Sequence, residues 1–228
     1  MTRLRDHLRR LHRFLGRNAF YAVSLSSTWS IGIFAGRIIF SGNVSYGFMV
    51  WNLILAWLPY VFSLTAALFD RRYRSGWALL IPGLLWLLFF PNGPYMITDL
   101  IHLEPRAPVP VWYDLILLIT FAWTGCWLAV ASLDTMQSII RVRLGRAMSW
   151  LFVAVTLGLT GLGVYLGRFL NWNSWDVFLQ PGDVFADILT RLAHPLDHLG
   201  AYGVTILFAA FLFVFYLAFV SGRARDRV

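Results

Sequence analysis

The 228-residue sequence has no lysine, so all 19 basic positions are arginine, a pattern we attribute to coding bias. Charge of either sign is scarce. Only 13% of residues are charged and 59% are hydrophobic, with a mean hydropathy of +0.66. A soluble domain carries about 25% charged residues, so that class is excluded. Cys126 is the single cysteine and stands inside an apolar run, which rules out a disulfide or a cysteine metal cluster within the chain. No phosphate-binding loop, dinucleotide glycine motif, serine nucleophile elbow or haem motif is present. The net charge of +8 does not point to nucleic acid, because the arginines lie in loops between apolar runs.

What the chain has is apolar runs near the roughly 20 residues that cross a bilayer. Spans are expected at 19–40, 47–69, 77–90, 115–133, 147–167 and 199–220. This predicts an all-α membrane protein, a six-transmembrane-helix bundle with both termini cytoplasmic and short amphipathic or re-entrant helices on the outer face. The expected organisation is a basic cytoplasmic arm (1–18), one transmembrane domain (19–220) and a basic tail (221–228). The arm before span 1 resembles a signal peptide, but the run is too long and no small-residue cleavage site follows it. Ser24, Ser27, Thr28 and Ser30 give span 1 a face suited to other helices. The stretch 77–90 extends about 21 Å at ~1.5 Å per residue, short of the roughly 30 Å hydrocarbon core. Residues after Pro91 therefore complete the crossing or line a dimple. Asp70–Gly76 and Asp134–Arg146 read as basic loops, and Pro91–Pro94 as a turn.

Arginine placement orients the bundle. Fifteen of the 19 arginines fall in the termini and in the loops after spans 2 and 4. These are Arg3, Arg5, Arg9, Arg10, Arg13, Arg17, Arg71, Arg72, Arg74, Arg141, Arg143, Arg146, Arg223, Arg225 and Arg227. The positive-inside rule makes that side cytoplasmic. The expected location is a bacterial cytoplasmic (inner) membrane, with membrane lipids as neighbours and the oligomeric state left open.

Two polar stretches then share the outer face: Phe-Pro-Asn-Gly-Pro-Tyr-Met-Ile-Thr-Asp-Leu-Ile-His-Leu-Glu (90–104) and Gly-Arg-Phe-Leu-Asn-Trp-Asn-Ser-Trp-Asp (167–176). The first reads as a short amphipathic helix over 95–103, with Thr98, Asp99 and His102 in one arc. Topology puts Asn52, Asn92, Asp99, His102, Asp114, Arg168, Asn171, Asn173 and Asp176 at one depth. Such groups near a membrane interior are costly and usually pair or serve function. Asp99, Asp114, Arg168 and Asp176 are candidate catalytic residues, and Arg168 is expected to bridge Asp99 or Asp176. Asn52, Asn92, Asn171, Asn173 and Trp172 are candidate substrate-binding residues. Asp99 and His102 (i, i+3) and His194 and His198 (i, i+4) are spaced to share an ion. His102, His194 and His198 are thus candidate ligands for a divalent metal such as zinc. Structural readings compete. Asp114 fits a helix-start residue, Trp172 and Trp175 fit interface anchors, and Asn173 with Asp176 fits a capping box. Arg37 and Arg168 fit snorkelling side chains. A second amphipathic helix is expected over 184–192, with Asp183, Asp187 and Arg191 recurring every fourth residue.

The blocks at 90–102 and 165–176, with Trp-Asn-Leu-Ile-Leu-Ala-Trp-Leu-Pro at 51–59, resemble a bacterial membrane family called domain of unknown function 1361. That resemblance implies a multi-pass inner-membrane protein and supplies no catalytic residues. The order Thr98, His102, Asp114, His194, His198 also resembles the zinc amidase pattern of alkaline ceramidases, with threonine where those proteins carry serine. Three readings follow: a metal-dependent hydrolase or transferase acting on a lipid or exported small molecule, a small-solute transporter or channel, or an accessory membrane subunit.

Overall fold

The computed structural model describes residues 9, 12–16, 18–73 and 75–225. Most of the basic arm, Arg74 and the end of the basic tail lie outside the described residues. Long helices dominate: α1 (Phe20–Ser41), α2 (Gly47–Tyr73), α3 (Leu80–Phe89), α4 (Asn92–Tyr95), α5 (Val111–Phe169), α6 (Asp176–Leu179), α7 (Pro181–Ala193) and α8 (Leu199–Arg225). Short 3₁₀ turns at Trp77–Leu79, Thr98–His102 and Pro195–His198 join them. Among the described residues five helical segments are long and apolar enough to cross a membrane, which makes this a membrane protein.

One of those segments, α5, has 59 residues and is broken at Gly145 (φ 88°, ψ 177°). A residue with a side chain is strained in that backbone conformation. The two arms, 111–144 and 146–169, fold back beside one another. Trp86 contacts both: its indole donates to Ser132 of the first arm at 3.1 Å and stacks on Phe152 of the second at 5.6 Å. The expected basic loop at 134–146 is therefore helical up to the glycine. Burial explains the difference, since Thr135, Met136, Gln137 and Ile139 all face the interior. Their charged neighbours find partners. Asp134 pairs with Arg223, and Arg143 donates to Asp70 at 2.7 Å. The same Asp70 pairing accompanies helix α2 out to Tyr73, into the expected basic turn.

On α1, Ser27 and Ser30 turn inward while Thr28 stays exposed. Ser26 and Ser30 meet Thr124 at 2.6 and 3.0 Å, and Trp57 of α2 donates to Ser27 at 3.1 Å. At the far end of α1 is a buried ion pair. Arg37 (1% exposed) grips Asp114 (0%) through two bonds, Nε to Oδ1 at 2.7 Å and Nη2 to Oδ2 at 3.2 Å. Neither residue snorkels. The Arg37 guanidinium also lies 5.1 Å from the Tyr46 ring centre, and Arg106 lies 4.8 Å from it.

The third candidate span is not a single helix. Trp77–His102 consists of a 3₁₀ turn, α3, the helical turn α4 and a second 3₁₀ turn. Pro91 and Pro94 fit a first helical turn, where the missing N–H leaves no helix bond unmade.

Candidate functional site

Where α4 meets the second arm of α5, two glycines one turn apart let the backbones approach. A Cβ on Gly163 would stand 2.8 Å from the Pro91 ring, and one on Gly167 3.1 Å from the Tyr95 ring. On the opposite side, Gly93 lies against Gly125 of the first arm, where a Cβ on Gly93 would meet the Gly125 carbonyl at 2.7 Å. The α4 turn is thus held between two helical arms, and Arg168 arrives next to it.

The result is a polar cluster drawn from three elements. In the 3₁₀ turn Thr98–His102 the near three-residue repeat stacks Asp99 and His102 on one face. Asp99 is 2% exposed. Asn52 of α2 donates to its Oδ2 at 2.8 Å, and Arg168 faces its Oδ1 at 3.7 Å. Arg168 Nη2 lies 3.0 Å from His102 Nε2. A guanidinium only donates, so Nε2 is the acceptor in this contact. The imidazole packs on Phe48 at 5.3 Å between ring centres, and Tyr46 donates to the His102 carbonyl at 3.2 Å.

This cluster forms the polar end of a cavity of about 900 Å³. Asn92, Asn173 and Ser174 add neutral hydrogen-bonding groups, and Asn92 ties the two signature stretches together by donating to Ser174 at 3.1 Å. Away from the cluster the walls are apolar: Leu84, Leu85 and Leu88 of α3 face Leu159, Leu162 and Leu166 of α5. Ile81 and Leu84 on that wall are also exposed at the protein surface. Val184, Phe185 and Ile188 of α7 line the cavity too. Trp172 fixes that helix by donating to Asp187 at 2.7 Å, and Arg191 reaches Asp187 at 3.2 Å. The indole bond, with help from Arg191, holds the Asp187 carboxyl below its ordinary range.

A family model described as protein of unknown function (DUF1361) matches residues 51–218. The chain belongs to that family. No curated protein and no solved structure matches it. In this DUF1361 protein the cavity and every residue of its polar cluster fall within the matched region, apart from Phe48 on its rim.

Of the residues singled out in the sequence, Asn52, Asn92, Asp99, His102, Arg168, Trp172 and Asn173 border the cavity. Five others do not. Asp114 is bound to Arg37. Asp176 turns away from Arg168 and takes the backbone N–H of Asn173 at 2.7 Å, a local turn of the capping kind. Asn171 is exposed and sits in the left-handed region (φ 59°) just past the end of α5, a position asparagine tolerates. His194 is exposed at the end of α7 with a non-helical backbone (φ −122°, ψ 65°), and Pro195 opens a new turn, so His194 and His198 share no helical face. The expected metal trio is corrected accordingly: among the described residues no three His, Cys, Asp or Glu side chains stand close enough to hold an ion. Sequence reasoning missed the leucine-lined half of the cavity, Tyr46, Phe48 and Ser174. The small-xxx-small spacing of Gly163 and Gly167 was the available signal for the close approach.

Proposed function

We propose that this protein is a six-crossing protein of a bacterial inner membrane, with both termini cytoplasmic, that binds a membrane amphiphile at its outer face. The observation that carries the reading is the two-part cavity. One end offers Arg168, Asp99, Asn52 and His102, and the other is walled by leucines. A polar head would sit at the cluster and an acyl or isoprenoid chain between α3 and α5. The buried Asp99 and the glycine contacts pre-organise the head site, which lowers the ordering cost of binding. Among the described residues no ligands are gathered that would support a metal-dependent hydrolase or transferase.

Two measurements test this. Leu162→Trp places an indole in the apolar half of the cavity; protein purified in mild detergent should yield about one extractable amphiphile per wild-type chain and far less from the variant. Equal yields from both, or none from the wild type, would sink the reading. For orientation, Cys126 is 3% exposed, so the native thiol is a silent background. Asp183→Cys should react with a membrane-impermeant maleimide in intact cells and Arg141→Cys should not. The reverse pattern would invert the topology.

A further inference from the structure

We infer that the amphiphile carries a zwitterionic head, a phosphodiester joined to a primary ammonium, with the phosphate on Arg168 and the ammonium on Asp99. This rests on the amphiphile reading above and specifies its headgroup. The argument is charge balance. Among the cavity-lining residues Asp99 and Arg168 bear opposite formal charges, and His102 meets Arg168 through Nε2. The formal charges of Asp99 and Arg168 therefore cancel. A lone anion would leave the buried Asp99 carboxylate and the head with one positive partner between them. A lone cation would leave the mirror problem at Arg168. Uncompensated charge is costly where water is scarce. A zwitterion adds no net charge and offers each side chain a partner.

The geometry leaves room for both contacts. Arg168 faces Asp99 Oδ1 at 3.7 Å, beyond hydrogen-bond length, so the two are near neighbours rather than a closed pair. Asp99 Oδ2 is occupied by Asn52, leaving Oδ1 to accept from an ammonium N–H. Arg168 spends one N–H on His102 Nε2, and a guanidinium has five to give. Its remaining donors suit phosphate oxygens, which arginine binds bidentately. Asn92, Asn173 and Ser174 can meet the ester and phosphate oxygens left over. A quaternary ammonium would satisfy the charge at Asp99 but not the free lone pairs of Oδ1, because it has no N–H.

The test is competition binding by native mass spectrometry. Full-length protein is delipidated and offered equal amounts of phosphatidylethanolamine, phosphatidylglycerol and phosphatidylcholine with identical chains. The wild type should retain phosphatidylethanolamine over each competitor on the order of tenfold. Asp99→Asn, which keeps the shape and makes the site positive, should move the preference to phosphatidylglycerol. Arg168→Gln should lose all three. Wild-type preference for phosphatidylglycerol, or equal retention of phosphatidylcholine, overturns the headgroup assignment while leaving an amphiphile site in place. If the wild type retains none of the lipids, both the assignment and the amphiphile reading fail. The wild-type ranking decides the matter even if a variant fails to fold.

Discussion

Asp114→Leu should cost about 3–5 kcal/mol of stability, and Arg37→Leu should cost a similar amount. The double variant should recover most of the loss. The pair is all but sealed from its surroundings, at 1% and 0% exposure, and both carboxylate oxygens are engaged. Removing one partner strands a full charge in an interior without water to solvate it, and that penalty exceeds the value of the bond itself. Removing both removes the charge problem and leaves two apolar side chains where α1 meets the start of α5. Unfolding in a denaturing detergent, followed by circular dichroism, measures the four members of the cycle. Additive losses in the double variant would show that the ion pair is not the stabilising unit. Tyr46 gives the same region a second role. Its ring lies between Arg37 and Arg106, and its hydroxyl holds the His102 carbonyl, so the single variants should also loosen the amphiphile site.

Gly125→Ala has the second large effect, and its sign is the informative part. In an exposed helix interior this change stabilises by about 1 kcal/mol, because alanine is the better helix former. Here the added methyl would collide with the Gly93 backbone carbonyl and stand 2.9 Å from the sulfur of Met96. A backbone carbonyl cannot rotate aside, so the whole α4 turn has to move. Overpacking of this kind costs typically 1–3 kcal/mol. Because the turn carries Asp99 and His102, amphiphile retention should fall along with the thermal midpoint. Gly158 is the control. It lies on the same helix with nothing within 4 Å of a Cβ, so Gly158→Ala should hold or raise the midpoint. A Gly125→Ala protein as stable as the wild type would refute the close-packing account.

The two cases show what hydropathy conveys and what it leaves out. It conveys depth. Asn52, Asp99, Arg168 and Asp114 were placed at one level by the apolar runs that flank them, and the first three do meet. Depth says nothing about position around the bundle, and Asp114 faces α1 instead, where Arg37 waits. Residue spacing conveys a shared face only while the helix persists. Asp99 and His102 keep theirs because a 3₁₀ turn also aligns i with i+3. His194 and His198 lose theirs to a non-helical residue followed by proline. The reversal at Gly145 was hidden because charged residues around it imitate a loop, whereas the buried face of the helix runs on beneath them. The leucine wall was hidden for a simpler reason. In an apolar helix, a leucine that lines a cavity reads the same as one that faces lipid.

Under the proposed function the cavity between α3 and α5 holds an amphiphile with its head at Arg168 and Asp99. An experimental density map of the protein in native-lipid nanodiscs tests it most directly. The expected result is elongated density that starts against the Arg168 guanidinium and runs between Leu84 and Leu159 toward the membrane. A cavity filled only by ordered water, or density whose polar end points away from Arg168, would contradict it.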